Sequence, residues 1–409
     1  MKKALTLTIA LLMLLSLFSL STAEENKTLT YWFWADNDKY AATMQEMIAD
    51  FNSTNGKGIT IIGQQIPWDG GTYSNTLLQA AIGGGGPDVA TFKLTATPSF
   101  VNNGLLENLD PFIESWDKKD EINQNIYNVM KSASGTDHVY TMPWNVQILY
   151  VYYRPSMFKA AGITVPETYA EFLDACAKLT RDTDGDGNTD VYGFGMRGSN
   201  GGQEPWGCFI YGAGGSFEKL DSKESIQGMQ DYIDLFTKGY APKTAPSDGF
   251  SQVIDGFKSG ITAMTIHHTG SSAQMIEQFG DDVAAFIFPA GKGQWTSMGD
   301  TENVMFASCK NKEAAFEWLA YLAAGKGQET WCTVTGNVPV SSSVQKMDVF
   351  QNNRFMKVSI EGQSVAGILP VRETTTKWIS NWPAEIQQAL MGDISAEECM
   401  QELQATLWK

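Results

Sequence analysis

Residues 29–36 read Leu-Thr-Tyr-Trp-Phe-Trp-Ala-Asp, an apolar run of β-favouring side chains that ends in a carboxylate. Such a run, bounded by polar residues, is typical of a buried strand. Directly after it, Met44, Met47, Ile48 and Phe51 recur every three or four residues, as on one face of a helix. The N-terminal part of the fold is therefore predicted to be a strand followed by an amphipathic helix.

The same alternation continues along the chain. Strands are predicted at 59–66, 88–92, 139–153 and 260–266. Helices are predicted at 40–51, 72–82, 169–179, 225–236, 250–258, 313–324, 384–391 and 396–407. Strands that alternate with helices indicate parallel sheets and an α/β fold. No Pro-rich or Ser-rich linker divides the chain, so two domains would have to be joined by ordered strands.

The first 23 residues have the pattern of a signal peptide. Lys2 and Lys3 precede an apolar stretch at 5–20, and Ser21-Thr22-Ala23 forms a small-residue cleavage site. We therefore expect export, with a mature chain that begins at Glu24. No cysteine follows Ala23, so no lipid anchor is predicted, and a periplasmic location is favoured over an extracellular one.

Composition excludes several classes of protein. The 409 residues are 43% hydrophobic, which is enough for a large core, and the net charge of −17 disfavours a nucleic-acid partner. Five cysteines are scattered without a Cys-x-x-Cys pair, which excludes a disulfide-dense scaffold and a cysteine-based zinc site of usual spacing.

Four segments together resemble one known family. They are Tyr31-Trp32-Phe33-Trp34-Ala35-Asp36, the Pro87-Asp88-Val89 break, Val139-Tyr140-Thr141-Met142-Pro143 followed by 150–153, and 257–264 with the sequence FKSGITAM. On these residues the chain resembles family 1 of the extracellular solute-binding proteins, the sugar-binding components of ABC importers that include the maltose-binding protein. The segments extend over nearly the whole mature chain.

The resemblance implies an α/β, two-lobed periplasmic-binding-protein-like fold, each lobe a sheet flanked by helices, with the ligand in the cleft between them. By position, lobe one would comprise 24–138 plus 286–332, and lobe two 139–285 plus 333–409. The implied function is a non-catalytic, monomeric carbohydrate receptor that closes on its ligand and delivers it to a membrane permease. No catalytic cofactor is implied.

Sugars offer apolar ring faces to aromatic side chains and hydroxyls to paired donors and acceptors. Trp34 and Asp36 follow the first strand, and Lys93 and Thr95 follow the strand at 88–92, where ligands bind in open α/β sheets. In the second lobe, Asn145 and Gln147 are predicted on the strand that crosses the cleft.

The remaining candidates come from the resemblance. Glu204-Pro205-Trp206 resembles the family's acidic-Pro-aromatic segment, which implies a stacking Trp206 and a hydroxyl-binding Glu204. His268 follows a strand after which many relatives carry a Trp, and a hydrogen-bonding role in that loop is expected. The last candidates lie in two later loops: Gly299 and Asp300 in the first, Arg372 and Trp378 in the second.

An acidic segment at 182–190, Asp-Thr-Asp-Gly-Asp-Gly-Asn-Thr-Asp, is similar to an EF-hand calcium loop. Its candidate ligands are Asp182, Asp184, Asp186, Asn188 and Asp190, but Gly193 occupies the twelfth position, where that loop carries a bidentate Glu. Two interpretations stay open: a structural Ca²⁺ site, or a solvated acidic turn between a helix and a strand.

Two other functions compete with the receptor. An exported glycoside hydrolase would use paired carboxylates such as Glu204 with Asp300 or Asp36, although the sequence does not determine their separation. A non-sugar solute, such as a peptide or a metal ion, could be bound on the same scaffold. The sequence contains no G-x-S-x-G, H-E-x-x-H or phosphate-loop motif, and its aromatic and amide residues favour carbohydrate.

Overall fold

A computed structural model describes residues 27–408, apart from 36, 68–71, 300 and 373. The predicted signal peptide at 1–23 lies outside the described residues, as do Asp36 and Asp300, two residues that were predicted to bind the ligand. The described chain is a mixed α/β fold, as predicted, with its strands in two main sheets.

The strands are short and carry the labels β1 to β13 in chain order. They are β1 Lys27–Phe33, β2 Ile59–Gln65, β3 Val89–Lys93, β4 Thr141–Met142, β5 Asn145–Val146, β6 Leu149–Tyr153, β7 Tyr192–Gly195, β8 Thr262–His268, β9 Ala284–Phe286, β10 Thr296–Ser297, β11 Thr301–Met305, β12 Val338–Pro339 and β13 Ala366–Gly367.

The helices that alternate with these strands are α1 to α18. They are α1 Asp38–Thr54, α2 Thr72–Ile82, α3 Thr97–Asn102, α4 Asp110–Ser115, α5 Gln124–Ser134, α6 Pro155–Ala161, α7 Tyr169–Leu179, α8 Gln203–Gly212, α9 Lys223–Thr237, α10 Phe250–Lys258, α11 Ser272–Phe279, α12 Lys312–Ala323, α13 Lys326–Thr335, α14 Ser342–Gln345, α15 Asp348–Gln351, α16 Arg354–Gly362, α17 Thr375–Met391 and α18 Ala396–Leu407.

The first sheet has the strand order β2-β1-β3-β11-β4. β1 pairs in parallel with β2 and β3, whereas β11 is antiparallel to both β3 and β4. The second sheet has the order β7-β8-β6-β9, in which β7 and β8 are parallel and β6 is antiparallel to β8 and β9. Each sheet is therefore mixed, with a parallel part predicted by the strand–helix alternation.

Local sequence explains the helix boundaries. Asn37 begins α1 by accepting a hydrogen bond from the Tyr40 backbone N–H at 2.9 Å. Thr168 with Glu171, and Ser395 with Glu398, form capping boxes at the starts of α7 and α18. Ser395, followed three residues later by Glu398 and then by an apolar helical pattern, is also the sequence signature of such a box.

Three connecting segments form a hydrogen-bonded hinge between the sheets. β5 pairs with β12, β10 pairs with β13, and Ile148 forms a bridge with Met298. The backbone N–H of Gly299 donates to the Gln147 carbonyl oxygen at 2.6 Å. The strands predicted within 139–153 are three and shorter than expected, because the chain leaves the first sheet at β4, crosses the hinge at β5 and enters the second sheet at β6.

The hydrophobic cores show which segments belong together. The largest core of the first lobe contains Leu29 and Met305, and that of the second lobe contains Val151 and Phe209. The second core also takes Phe286, Phe288 and Trp295, which were predicted in lobe one. Conversely, the first core takes Val338, Val344, Phe350 and Met356, which were predicted in lobe two. The chain therefore returns to the first lobe near 297 instead of 286, and passes to the second lobe again near 367 instead of 333. β10 and β13 pair at these two positions.

The late part of the chain also differs from the prediction. The helix expected at 384–391 begins at Thr375 and continues through Pro383, so Trp378 and Trp382 lie on a helix instead of in a loop. No helix in the part of the chain that the structure describes is both long and apolar enough to cross a bilayer.

Candidate ligand-binding cleft

A cavity of about 480 Å³ lies at the hinge between the two sheets. Its walls come from both lobes and its floor from the connecting segments. The lining residues are Trp34, Ala35, Tyr40, Thr91, Lys93, Trp144, Asn145, Gln147, Leu149, Arg197, Gly201, Glu204, Phe250, His268, Gly270, Ser297, Gly299, Thr301, Trp331, Thr335 and Asn337. Seven predicted site residues are among them: Trp34, Lys93, Asn145, Gln147, Glu204, His268 and Gly299.

The first-lobe wall begins where β1 and β3 end. Trp34 packs edge-on against Tyr73, with ring centroids 4.9 Å apart, which fixes the plane of the indole. Lys93 Nζ lies 5.6 Å from the Trp34 ring centroid and donates to Thr301 Oγ1 at 3.2 Å. Trp34 directly follows β1 and Lys93 is the last residue of β3, and because these neighbouring parallel strands end at the same edge of the sheet, the two side chains lie close together.

The floor of the cleft contains a stacked tryptophan pair. The rings of Trp144 and Trp331 lie 4.6 Å apart at 27°, and the Tyr40 ring tilts against Trp331 at 5.8 Å. Beside them, Gln147 Nε2 donates to Asn337 Oδ1 at 3.2 Å. Trp144 Nε1, Trp331 Nε1 and Asn145 Nδ2 are buried donors that have no hydrogen-bond partner among the described residues. Buried donors of this kind need an acceptor from water or a ligand.

The second-lobe wall combines charge with an aromatic platform. Glu204 is in the first turn of α8, and Arg197 lies shortly before it, after β7. Phe250 begins α10 with 48% of its surface exposed, and its ring stacks on His268 at 5.1 Å and 23°. The His268 Nδ1 accepts a hydrogen bond from the Gly270 N–H at 3.0 Å. His268 therefore ends a strand and supports the turn after it, instead of lying in a loop.

Both histidines of this wall are held neutral. Burial, followed by the nearby Arg197 guanidinium, lowers the pKa of His268 from 6.5 to about 4. The same two causes lower the pKa of His267 to about 2. Their rings lie 4.7 Å apart and both contact Phe250, so they form part of the packing around that ring.

The stacking role predicted for Trp206 is wrong. Its side chain is fully buried among Phe217, Trp378 and Trp382 in the second core, and its Nε1 points at the Met229 sulfur. The physical reason is helical geometry. Residues 203–212 form α8, and positions two apart on a helix face different directions. Glu204 can therefore reach the cleft only if Trp206 does not.

Three other candidates lie away from the cleft. Trp378 is fully buried on α17, within the same aromatic core as Trp206. Arg372 is exposed and places its guanidinium 3.6 Å from the Trp408 ring centroid. Thr95 is exposed in a short 3₁₀ turn, Leu94–Ala96, and does not line the cavity. None of the three residues lines the cavity. The ligand contacts predicted for Thr95, Arg372 and Trp378 are therefore wrong.

Several lining residues were missed at the sequence level. Phe250 and Arg197 flank Glu204, while Tyr40 and Trp331 complete the aromatic floor. Tyr40 and Trp331 each lie within a helical pattern, where an aromatic residue is ordinarily read as core. Phe250 did carry a signal, because a large apolar residue at the first position of a helix, directly after Gly249, has no helical turn before it to cover it.

The acidic segment at 182–190 is exposed, and three of its carboxylates approach one another. Oxygens of Asp182, Asp184 and Asp190 lie within 4.8 Å. The Asp182 carboxylate accepts from the Gly185 and Gly187 N–H groups, at 2.7 and 2.8 Å. These backbone bonds lower the pKa of Asp182, and bonds from Thr183 lower that of Asp190. Asn188 donates to the Asp186 carboxylate from its backbone N–H at 2.7 Å and from its Nδ2 at 2.9 Å. Turn bonds of this kind occur with or without an ion, so both interpretations remain predictions.

Comparison with known proteins identifies the family. Residues 34–329, more than half of the chain, match the family of bacterial extracellular solute-binding proteins. This chain belongs to that family. The family is one of binding proteins, which agrees with a cleft between two lobes.

Individual relatives are distant. The chain is 26% identical over 312 residues to a predicted binding protein of Brucella abortus, covering 72% of each chain. It is 22% identical over 349 residues to the arabinooligosaccharide-binding protein of Halalkalibacterium halodurans, covering 78% of this chain and 73% of the relative. The sugar-binding protein MalE of Xanthomonas citri has the same two-lobed fold, with a TM-score of 0.80, 19% identity, and coverage of 92% of this chain and 95% of that one.

Proposed function

We propose that this protein is an exported, non-catalytic receptor that captures a carbohydrate between its lobes and presents it to the membrane permease of an ABC importer. The observation that carries the proposal is the composition of the cleft. Aromatic rings line it on several sides, with Trp34 on the first-lobe wall, Phe250 on the second-lobe wall and Trp331 in the floor, and polar side chains line it as well. Rings pack on the apolar faces of sugars while amides and carboxylates bind hydroxyls.

The relatives support the same ligand class. The Halalkalibacterium halodurans relative is named for arabinooligosaccharides, and the structurally similar MalE of Xanthomonas citri is a sugar-binding protein. A ligand that contacts both lobes stabilises the closed conformation and so increases its population. The closed conformation is the one that a permease can recognise. We propose a monomer that acts in the periplasm, with Asn145, Gln147 and Glu204 binding hydroxyl groups.

We propose that a bound oligosaccharide is released intact, because the chain belongs to a family of binding proteins. Glycoside hydrolysis ordinarily needs two carboxylates on opposite sides of the scissile bond. Glu204 lines the cleft, and the two partners considered for it, Asp36 and Asp300, lie outside the described residues, so recovery of the sugar after incubation is the measurement that decides between capture and hydrolysis.

The test is a thermal-melt screen of the purified protein against neutral and acidic mono- and oligosaccharides, with chromatography of each stabilising sugar after prolonged incubation. A ligand that binds only the folded state adds about 2.7 kcal/mol to the free energy of unfolding at 100 times its Kd. We expect a raised Tm with at least one sugar and recovery of that sugar uncleaved.

Two results would contradict the proposal. Cleaved sugar would show a hydrolase. The absence of any shift across the panel, together with a shift from a peptide or another non-sugar solute, would show a different ligand class on the same fold.

A further inference from the structure

Arg197 is the most deeply buried charge on the cleft wall. It directly follows β7 and Met196, lines the cavity, and has only 4% of its surface exposed. Burial lowers its pKa, because a low-dielectric environment disfavours the charged form. An arginine nevertheless stays protonated in a protein, so the charge must be compensated by its surroundings.

The described residues supply little compensation. Nη1 donates to the Gly201 carbonyl oxygen at 3.1 Å, while Nε and Nη2 have no hydrogen-bond partner among the residues that the structure describes. No carboxylate of the described residues forms an ion pair with this guanidinium, although Glu204 contributes a longer-range attraction. The face of Phe250 lies 5.2 Å away, which offsets only part of the cost of burial.

Two features favour a negative group at this point. α8 begins at Gln203, and its N-cap residue, Gly202, has no side chain to satisfy the N–H groups of the first turn, in which Pro205 has no N–H and Glu204 places one carboxylate. The neighbouring histidines are neutral, as described above. Across the cleft, Lys93 lines the same cavity. The buried guanidinium and the helix start both favour an anion, and the Glu204 carboxylate, which does not pair with Arg197, leaves Nε and Nη2 of that guanidinium without one.

We infer that the carbohydrate carries a carboxylate, as a uronic acid residue does, and that this carboxylate binds Nε and Nη2 of Arg197. The inference rests on the proposed function and narrows its ligand class. These two nitrogens form one side of the planar guanidinium fork, which matches the two oxygens of a carboxylate. A hydroxyl group offers one oxygen and no charge. Both nitrogens are covered in this structure, so the proposed contact requires the Arg197 side chain to rotate toward the cavity when the ligand binds.

The test compares ligands that differ only in the carboxyl group. Affinities of the purified protein are measured by calorimetry for uronic acid mono-, di- and trisaccharides and for the same sugars with each carboxyl reduced to an alcohol. We expect at least one uronate to bind about 10- to 100-fold more tightly than its reduced partner, since hydrogen bonds to a charged group contribute about 1.5–3 kcal/mol.

Variants locate the effect. In Arg197→Gln the preference for the uronate should disappear, and in Arg197→Lys it should be intermediate, because the charge is kept and the fork is lost. Arg372→Gln, which removes an arginine outside the cleft, should retain the full preference. If Arg197→Gln does not fold, the inference is tested by the ratio of affinities for each uronate and its reduced partner, measured in the wild type and in Arg197→Lys.

Each outcome is informative. Equal or tighter binding of the reduced sugars would overturn the carboxylate while leaving the carbohydrate receptor intact. Binding of sugar phosphates in place of uronates would assign the guanidinium to a phosphate ester and overturn the inference. Failure of neutral and acidic sugars alike would contradict the proposed function and this inference together.

Discussion

At the residue scale, accessibility separates two aromatic side chains that the sequence does not distinguish. Trp206 is fully buried in the second core, whereas Phe250 is 48% exposed at the cleft wall. Burial decides whether an aromatic ring contributes to folding or to binding, because a ring that already packs on all sides has no face for a ligand.

This difference predicts opposite effects of two substitutions. Phe250→Ala should weaken sugar affinity about tenfold or more and change the Tm little, because the ring is a partly exposed contact. Trp206→Ala should lower the free energy of unfolding by about 3–5 kcal/mol through the cavity that it leaves. Calorimetry and urea unfolding of both variants make the comparison. Full sugar affinity in Phe250→Ala would remove Phe250 from the binding surface.

The lowered pKa values of the cleft histidines predict a pH dependence. Below about pH 6.5 the unfolded chain takes up a proton on His268, whereas the folded protein does so only near pH 4. The free energy of unfolding should therefore fall as the pH drops from about 6.5 to 4, by at most about 1.4 kcal/mol per pH unit for this residue.

His268→Gln checks this, because glutamine keeps an acceptor for the Gly270 N–H and does not titrate. Urea unfolding across pH 4 to 7 should show a shallower slope in the variant than in the wild type. Parallel curves would mean that His268 has an ordinary pKa in the folded protein.

At the element scale, the acidic loop between α7 and β7 is the segment whose role the structure leaves open. Its turn is held by its own backbone bonds, and Gly185 and Gly187 adopt positive φ values of 79° and 87°. A weak calcium site of this type is expected to bind at about 10⁻⁴–10⁻³ M. Calcium would then stabilise the loop without being needed to form it.

The calcium interpretation predicts a higher Tm in millimolar calcium than in chelator. The paired change Asp184→Ala and Asp186→Ala should abolish this difference. Asp221→Ala with Asp393→Ala, two exposed carboxylates outside the loop, should preserve it as the control. Equal melting of the wild type with and without chelator would favour the solvated turn.

At the scale of the whole molecule, the three connecting segments set how the lobes can move. β5 pairs with β12 and β10 with β13, so the connections form one hydrogen-bonded hinge instead of three independent tethers. Hinges of this kind concentrate movement in a few residues and keep each lobe rigid. Asn145, Gln147 and Gly299 belong both to the hinge and to the cleft floor, so a ligand there contacts the moving part directly.

Lobe closure predicts a more compact protein with ligand bound. The radius of gyration from small-angle X-ray scattering should decrease when a saturating sugar is added, and a sugar that gives no thermal shift should leave it unchanged. An unchanged radius at saturation would show that capture occurs without closure.

The sequence alone determined the α/β class, the boundaries of strongly periodic helices such as α2, α7 and α10, and the strand ends that carry Trp34 and Lys93. These features depend on local periodicity, capping residues and the order of the elements, all of which can be recognised from residues that are neighbours in the sequence. The resemblance to the family placed Asn145 and Gln147 on the segment that crosses between the lobes, and the structure has them there, at and after β5.

Only the tertiary structure decided which aromatic rings reach the ligand and where the chain passes between lobes. Trp206 and Trp378 lie on helices whose orientation depends on packing against other elements, and Phe250 and Trp331 come to the cleft from distant parts of the chain. The crossings near 297 and 367 depend on the pairing of β10 with β13, a contact between residues far apart in sequence. Such contacts follow from how whole surfaces fit together, which no local pattern records.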